Sequence, residues 1–435
     1  MNKCRKRILS LVLVVCLTAG LTGCTTYTNF KNAFFGTDTV AKEKTIKIGV
    51  FEPTSGSMKT QGKEEVMGIE LAHDLYPTAC GKTVELVYAD NKSDMYEAEA
   101  AIQELISSSS PSMILGSYGE TLSLIAGKYI EAANIPSITI SSTNPLITAN
   151  NPYYFSATYS EARQGDALAD FAYLSQNKDM VATVKLENDD TATATIKRFT
   201  NRMKKLTENN RCVVGSFTLS TTSVAPDYTE TIEKIRESGA TAVFLAVPPT
   251  VAKDFLTQAQ EQKLPYMLFL GTRAWGDKDF LEFVKANKQL HIGYPAEQAT
   301  NNETAMSQKF MEAFRTKYGE DAELSQRTVV AFDAYLLAVT AMDRAMQAVR
   351  DTDPDTIAQN SATDAEARAK KEAWQVARET GIPSGTQIKD ALNGIDNFEG
   401  ASGVINYKGK NEATKSVSIS HIANGTELPA YVSES

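Results

Sequence analysis

The sequence predicts an α/β fold made of two similar lobes, each a doubly wound parallel sheet. Three observations predict it. Short apolar runs alternate with helical stretches in two successive series of similar size. The runs are continuous in Ile, Val and Leu rather than alternating, which suits strands covered by helices on both faces. At 435 residues the chain is long enough for two cores.

The N-terminus comes first. Lys3, Arg5, Lys6 and Arg7 precede an apolar run, Ile8–Leu21. That run is short of the roughly twenty residues needed to span a bilayer, so residues 1–23 read as a cleaved export signal rather than an anchor. It ends in Leu21-Thr22-Gly23-Cys24, which resembles a bacterial lipobox. The resemblance implies that Cys24 is lipidated, becomes the mature N-terminus and holds the protein on the outer face of the cell membrane. Each buried CH₂ contributes about 0.8 kcal/mol, so several acyl chains together anchor stably. Residues 24–43 lack clear periodicity and read as a tether between lipid and globule. Of five cysteines, Cys4 and Cys16 leave with the signal, and only Cys80 and Cys212 remain beside Cys24. There is no CxxC pair, and two buried thiols are favoured over a disulfide.

From Lys44 the first series runs "IKIGVF", "VELVYA", "SMILGS" and "PSITIS". Helical stretches lie between them, such as Asp94–Ser107 and Thr121–Ala133. In the former the apolar stripe is Met95, Ala98, Ala101, Ile102 and Leu105, at helical spacing. After about Tyr159 the second series runs "MVATVKL", "CVVGSFTL", "TAVFLAV" and "YMLFLG", with helices expected at Tyr228–Ser238 and Thr250–Gln262. A long helix follows at Ser325–Arg350. Residues 351–382 are polar, charged and Ala-rich. They read as an insertion, helical around Ala362–Thr380 and solvated on its surface. The strands "SGVINY" and "SVSISHI" close the chain.

Chemical motifs are scarce. The sequence holds no phosphate loop, dinucleotide fingerprint, nucleophile elbow or HExxH, so no cofactor is implied. His73, His291 and His421 are scattered, without a second ligand at metal spacing. Asp189 and Asp190 are too few for a calcium loop and suit the cap of a helix beginning near Thr191. The net charge of −9 argues against a nucleic-acid partner.

The stretch "GVFEPTSGS" lacks the Lys and Gly spacing of a phosphate loop. With the glycine and helix that follow, it resembles the start of type 1 periplasmic solute-binding proteins, in particular the branched-chain amino-acid (Leu/Ile/Val) family of ABC importers. "ADNKSD", "ILGSYGETLSLIAGKYIEAANIPSITISSTNP", "FLGTRAW", "VVAFDAYLLAVTAMDRA" and "FEGASGVINYKGK" resemble later segments of the same family in the same order. The resemblance covers about Lys44 to Ser420. It implies two lobes joined by a hinge of about three crossings, near Tyr159, Tyr294–Ala299 and Gly394–Gly400. Lobe 1 is then 44–158 plus 298–395, and lobe 2 is 159–297 plus 396–435. It also implies a small, amino-acid-like ligand held between the lobes and ABC permease subunits as partners.

Carried over residue by residue, the resemblance places Ser55 in the first ligand loop and Thr143, with Ser142 beside it, where the family holds a carboxylate. The family's Ser is replaced by Glu120, with Thr121 next. A Glu there would repel a carboxylate and attract an ammonium. Where the family often uses an acid for the ligand amine, Arg273 stands, which suits an anion. Asp190 replaces an aromatic at the start of a second-lobe helix. Glu120 and Arg273 could instead pair across the cleft or face solvent. Tyr118 and Trp275, after strand ends, are expected in the cleft. Phe332 is an equal choice between ligand contact and core packing.

The reading is therefore an importer's solute receptor, or alternatively a sensor of the same fold signalling to a membrane partner, or a binder of amides or small diacids. No nucleophile–base pair supports an enzyme.

Overall fold

The computed structural model describes residues 45–159, 161–220, 226–296 and 304–433. The export signal, Cys24 and the tether lie outside the described residues. The first sheet comes from β1 (Thr45–Glu52), β2 (Thr78–Ala79), β3 (Lys82–Asp90), β4 (Met113–Gly116), β5 (Ser137–Thr139) and β6 (Tyr154–Ser156). Their order is β2-β3-β1-β4-β5-β6. All pairs are parallel except the short β2, which runs antiparallel to β3.

Helix α1 (Lys59–Leu75) covers one face of this sheet, and α2 (Met95–Glu104) and α3 (Glu120–Ala133) cover the other. Both of the latter match the expected helical stretches. The α/β architecture predicted from the alternating runs is the one observed.

The second sheet uses β7 (Val181–Leu186), β8 (Val213–Leu219), β9 (Ala242–Ala246), β10 (Leu268–Leu270) and β11 (His291–Ala296) as parallel strands. Helices α4 (Glu161–Asp170), α5 (Asp190–Thr207), α6 (Thr229–Glu237), α7 (Pro249–Glu261) and α8 (Lys278–Ala286) surround it. Its apolar strands divide their buried side chains between two cores, one on each face. This is the burial that continuous apolar runs foretell.

The chain then returns to the first lobe through α9 (Ala305–Tyr318) and the long α10 (Gln326–Asp351). Ser325 caps α10 by accepting from the Arg327 N–H. Helix α10 is buried around most of its circumference and lies against α1. The approach is so close that a Cβ on Gly68 would stand 2.0 Å from the Thr328 carbonyl oxygen. Helix α11 (Asp364–Thr380) is the expected insertion helix. It is mostly exposed, but it seats Ala377 in the first core, and the Trp374 indole donates to Val349 O at 2.9 Å. Helix α12 (Gly385–Asn393) completes the layer.

The third crossing differs from the expected Gly394–Gly400. Strands β12 (Phe398–Gly400) and β13 (Gly403–Ile405) form a separate antiparallel pair. Ala401, Ile405, Tyr407 and Ala413 then belong to the core of the first lobe, although residues 396 onward were expected in the second. The reason is Asp333 on α10. Its buried carboxylate accepts from Ala401 N at 2.6 Å and Ser402 N at 2.8 Å and pins the segment there. The chain joins the second sheet at β14 (Val417–Ala423), which pairs antiparallel with β11, and ends in β15 (Thr426–Ser433). Cys80 and Cys212 are free and buried.

Candidate functional site

In open α/β sheets, solutes bind beyond the carboxyl ends of the strands. In the first lobe four loops meet there, after β1, β3, β4 and β5. Asp90, at the end of β3, organises the first two. It accepts from Thr54 N at 3.0 Å, Ser55 N at 3.3 Å, the Ser55 hydroxyl at 2.7 Å and Lys92 N at 2.9 Å. Burial pushes the Asp90 carboxyl up, but the hydrogen bonds from Ser55, Lys92 and Thr54 outweigh it and hold it below the usual range. The Ser55 hydroxyl therefore shapes its loop. Gly56 sits at φ +79°, where a Cβ would meet Lys92 O at 2.1 Å, so only glycine fits.

The loops after β4 and β5 are knitted through Ser117. Its carbonyl accepts from the Ser123 hydroxyl at 2.8 Å and from Ser142 at 3.4 Å. Its own hydroxyl accepts from Asn91 Nδ2 at 2.8 Å. Ser142 and Thr143 are buried, while Thr121 and Glu120 are exposed on the first turn of α3. Glu120 accepts from Asn144 Nδ2 at 3.3 Å. The structure thus brings Tyr118, Glu120, Ser142 and Thr143 to neighbouring loops.

Tyr118 is half-buried, and the Arg327 guanidinium lies over its ring at 5.6 Å. Arg327 is held in turn by Glu64, Nε to Oε2 at 2.7 Å. Sequence reasoning missed this cation. It stands at the N-terminus of α10, far along the chain from the loop it faces, and no local pattern marks it. Also missed were two acids under these loops. Glu52 ends β1 and is 1% exposed; Glu65 on α1 is 0% exposed. Glu52 accepts from Tyr118 N at 2.8 Å, and Glu65 accepts from the Ser141 hydroxyl.

In the second lobe Asp189 is the cap of α5, accepting from Ala192 N at 2.8 Å, and Asp190 is exposed in the first turn. Arg273 is half-buried where a single 3₁₀ turn, Arg273–Gly276, follows β10. Two expected contacts are corrected. Trp275 is 0% exposed; its indole donates to Val247 O at 3.0 Å and its ring lies against Gly271 within the second core. Phe332 is also fully buried, edge-on to Phe310 at 5.0 Å in the first core. Neither side chain reaches a cleft.

Where the crossings run side by side, a cavity of about 270 Å³ takes lining from both lobes, with Thr158, Gln326 and Ser402 on one side and Ser418 and Val432 on the other. Gln326 Oε1 and Ser418 Oγ are buried there without a hydrogen-bond partner. Gln326 is the chain neighbour of Arg327, so this polar hollow and the loop cluster share the start of α10. Among the described residues no helix is long and apolar enough to cross a membrane.

The sequence profile of the periplasmic binding protein family matches residues 45–425. A Leu/Ile/Val-binding protein homolog from Brucella suis is 24% identical over 297 residues, covering 66% of this chain and 73% of that protein. A substrate binding protein for branched-chain amino acids from Streptococcus pneumoniae, solved with isoleucine, superposes with a TM-score of 0.60 at 21% identity, over 90% of this chain and 99% of that one. A solute binding protein of an ABC transporter from Rhodopseudomonas palustris, solved with 3,4-dihydroxybenzoic acid, superposes with a TM-score of 0.58 at 18% identity, over 90% and 98%. The profile spans nearly the whole described chain, with the first sheet and all of the second but its last strand, and on that ground the protein belongs to the periplasmic binding protein family.

Proposed function

We propose that the protein is the extracytoplasmic receptor of an ABC importer, lipidated at Cys24, that closes its two lobes on a small amino-acid-like solute and presents it to permease subunits. Family membership supports the receptor role. The solute class rests on one observation: Arg327 stacked on Tyr118, beside the buried hydroxyl residues Ser142 and Thr143 and the exposed Glu120. A guanidinium with hydroxyls offers donors to a carboxylate, and Glu120 offers an acceptor to an amine. Isoleucine and dihydroxybenzoic acid, bound by the two similar structures, are both carboxylic acids. Arg273 lies half-buried in the turn after β10 on the opposite lobe, and a preference for polar over plain aliphatic solutes is what a contact from it would produce.

A thermal-shift panel of branched-chain amino acids, amides, small diacids and aromatic acids tests this. Arg327→Ala and Glu120→Ser should each weaken the best hit about thirtyfold or more, since truncating one partner of a buried charged pair costs about 2–5 kcal/mol. Tight leucine binding that ignores both substitutions would return the protein to the ordinary branched-chain pattern.

A further inference from the structure

Two acids packed into an apolar layer need an explanation that the binding role does not give. Glu52 and Glu65 are 1% and 0% exposed. Each spends one carboxylate oxygen on a loop: Glu52 Oε2 on the Tyr118 N–H, and Glu65 Oε1 on the Ser141 hydroxyl. The other oxygens, Glu52 Oε1 and Glu65 Oε2, have no donor. The two side chains lie within hydrogen-bonding reach of each other. Two ionised carboxylates so placed would repel in a low-dielectric layer and leave two buried acceptors unpaired. A single proton removes both problems. It lowers the charge of the pair to −1 and makes one carboxyl the donor that the other lacks.

We propose that Glu52 and Glu65 share one proton and act together as positioning residues for the loops carrying Tyr118 and Ser142–Thr143. The proposal rests on the reading of those loops as solute-binding.

The surroundings leave little else to neutralise the pair. On α1 the neighbouring charge is Glu64, which pushes the Glu65 pKa up. On α10 it is Arg327, which draws that pKa down but is already held by Glu64. From β6, Tyr154 faces the pair and spends its hydroxyl on Gly116 O at 2.8 Å. From the β4 loop comes the Tyr118 N–H. Burial, the largest effect, and then the charge of Glu65 raise Glu52 well above the ordinary carboxylate range. Burial pushes Glu65 up as well, against the hydrogen bonds from Glu52 and Ser141 and the charge of Arg327.

The sign follows. An unfolded glutamate loses its proton near 4.5, whereas the folded pair keeps one. The pair's contribution to folding is therefore complete below 4.5 and declines as pH rises toward the folded pKa. Above that, two buried anions push the strand end and the helix apart. Tyr118 N–H and Ser141 then lose their fixed acceptors, so the loops loosen on the alkaline side.

The test uses the full-length protein without solute. Carbon-13 labelling of glutamate should show side-chain carboxyl resonances titrating far above the ordinary glutamate range, absent from the double variant Glu52→Gln/Glu65→Gln. Each single Gln variant carries a permanent amide donor in place of the proton. Over the window from 4.5 upward the unfolding constant of the wild type should rise about tenfold per pH unit relative to Glu65→Gln. Hydrogen exchange at residues 117–119 and 141–143, corrected for its intrinsic pH dependence, should accelerate in the wild type on the alkaline side and stay flat in Glu65→Gln. If a variant fails to fold, the wild-type resonances still decide. The idea is overturned if no glutamate titrates above the ordinary range. It is also overturned if loop exchange follows sodium or calcium concentration at fixed pH, which would mean a bound cation. Because no readout needs a solute, a blank thermal-shift panel would sink the proposed function and leave this result standing.

Discussion

Replacing Trp275 by Phe separates a core tryptophan from a cleft tryptophan. The indole N–H satisfies Val247 O at 3.0 Å, and Val247 is itself buried. Phe removes that donor and leaves a buried carbonyl unpaired, at about 1–3 kcal/mol. It also removes part of the ring surface that lies against Gly271 and the Phe280 ring, whose centroid is 4.8 Å away. A partly filled cavity adds on the order of 1 kcal/mol. The sum, about 2–4 kcal/mol, should appear as a lower urea midpoint with an unchanged slope. Calorimetric affinity for the best solute, measured well below the new midpoint, should stay within about twofold, because less than 0.5 kcal/mol reaches the site. An unchanged midpoint together with a tenfold loss of affinity would refute the reasoning and put the ring back in the cleft.

Further expectations concern the histidines and the N-terminus. His291 and His421 meet Nε2 to Nε2 at 2.5 Å across β11 and β14. Burial, then the neighbouring His421, pushes His291 down to about 4, and burial lowers His421 as well. The unfolded chain takes up protons from 6.5 downward while the folded pair resists, so stability is full above 6.5 and is lost as pH falls toward 4. His291→Phe should flatten that acid limb, worth up to about 3 kcal/mol; an acid limb identical to wild type in denaturation curves would contradict the assignment. The carboxyl pair slopes the opposite way over an overlapping window, so each effect is read as a difference from its own variant. Cys24→Ala should leave unprocessed or released protein; incorporation of labelled fatty acid by that variant would rule out the lipid anchor.

Much of the architecture was legible because it is written in local periodicity. Strands such as "TIKIGV" and "TAVFLAV" and the helix at Glu120–Ala133 follow from runs and stripes alone. What escaped depends on distant partners. Helix α10 is buried all round, so its pattern shows no face and could not tell Phe332 in the core from a residue at the cleft. Trp275 follows a strand end, where loops reach ligands, but Gly271 lets the ring fold back onto a carbonyl 28 residues away. Glu52 carries no local mark in the sequence, because its burial comes from segments packed on the end of β1. The third crossing was misplaced because Asp333 holds Ser402 from 69 positions back. In the candidate loop cluster, the neighbouring placement of Ser142, Thr143, Glu120 and Tyr118 follows from a loop sequence, whereas that of Arg327 does not.

The order of the strands has a consequence for how the molecule comes into being. The first lobe opens the chain, yet Thr328 of its central helix bonds to Glu64 O across 264 positions. The second lobe is closed by the last strands, with Ser433 donating to Asp170 across 263 positions. Neither half is a contiguous unit, so a growing polypeptide can complete its first lobe only once Ala401–Ala413 has emerged, and its second only with the final hairpin. Contacts at such separations delay the reward for closing long loops, and folding is correspondingly slow. A chain wired in this way must complete most of its length before either half can lock.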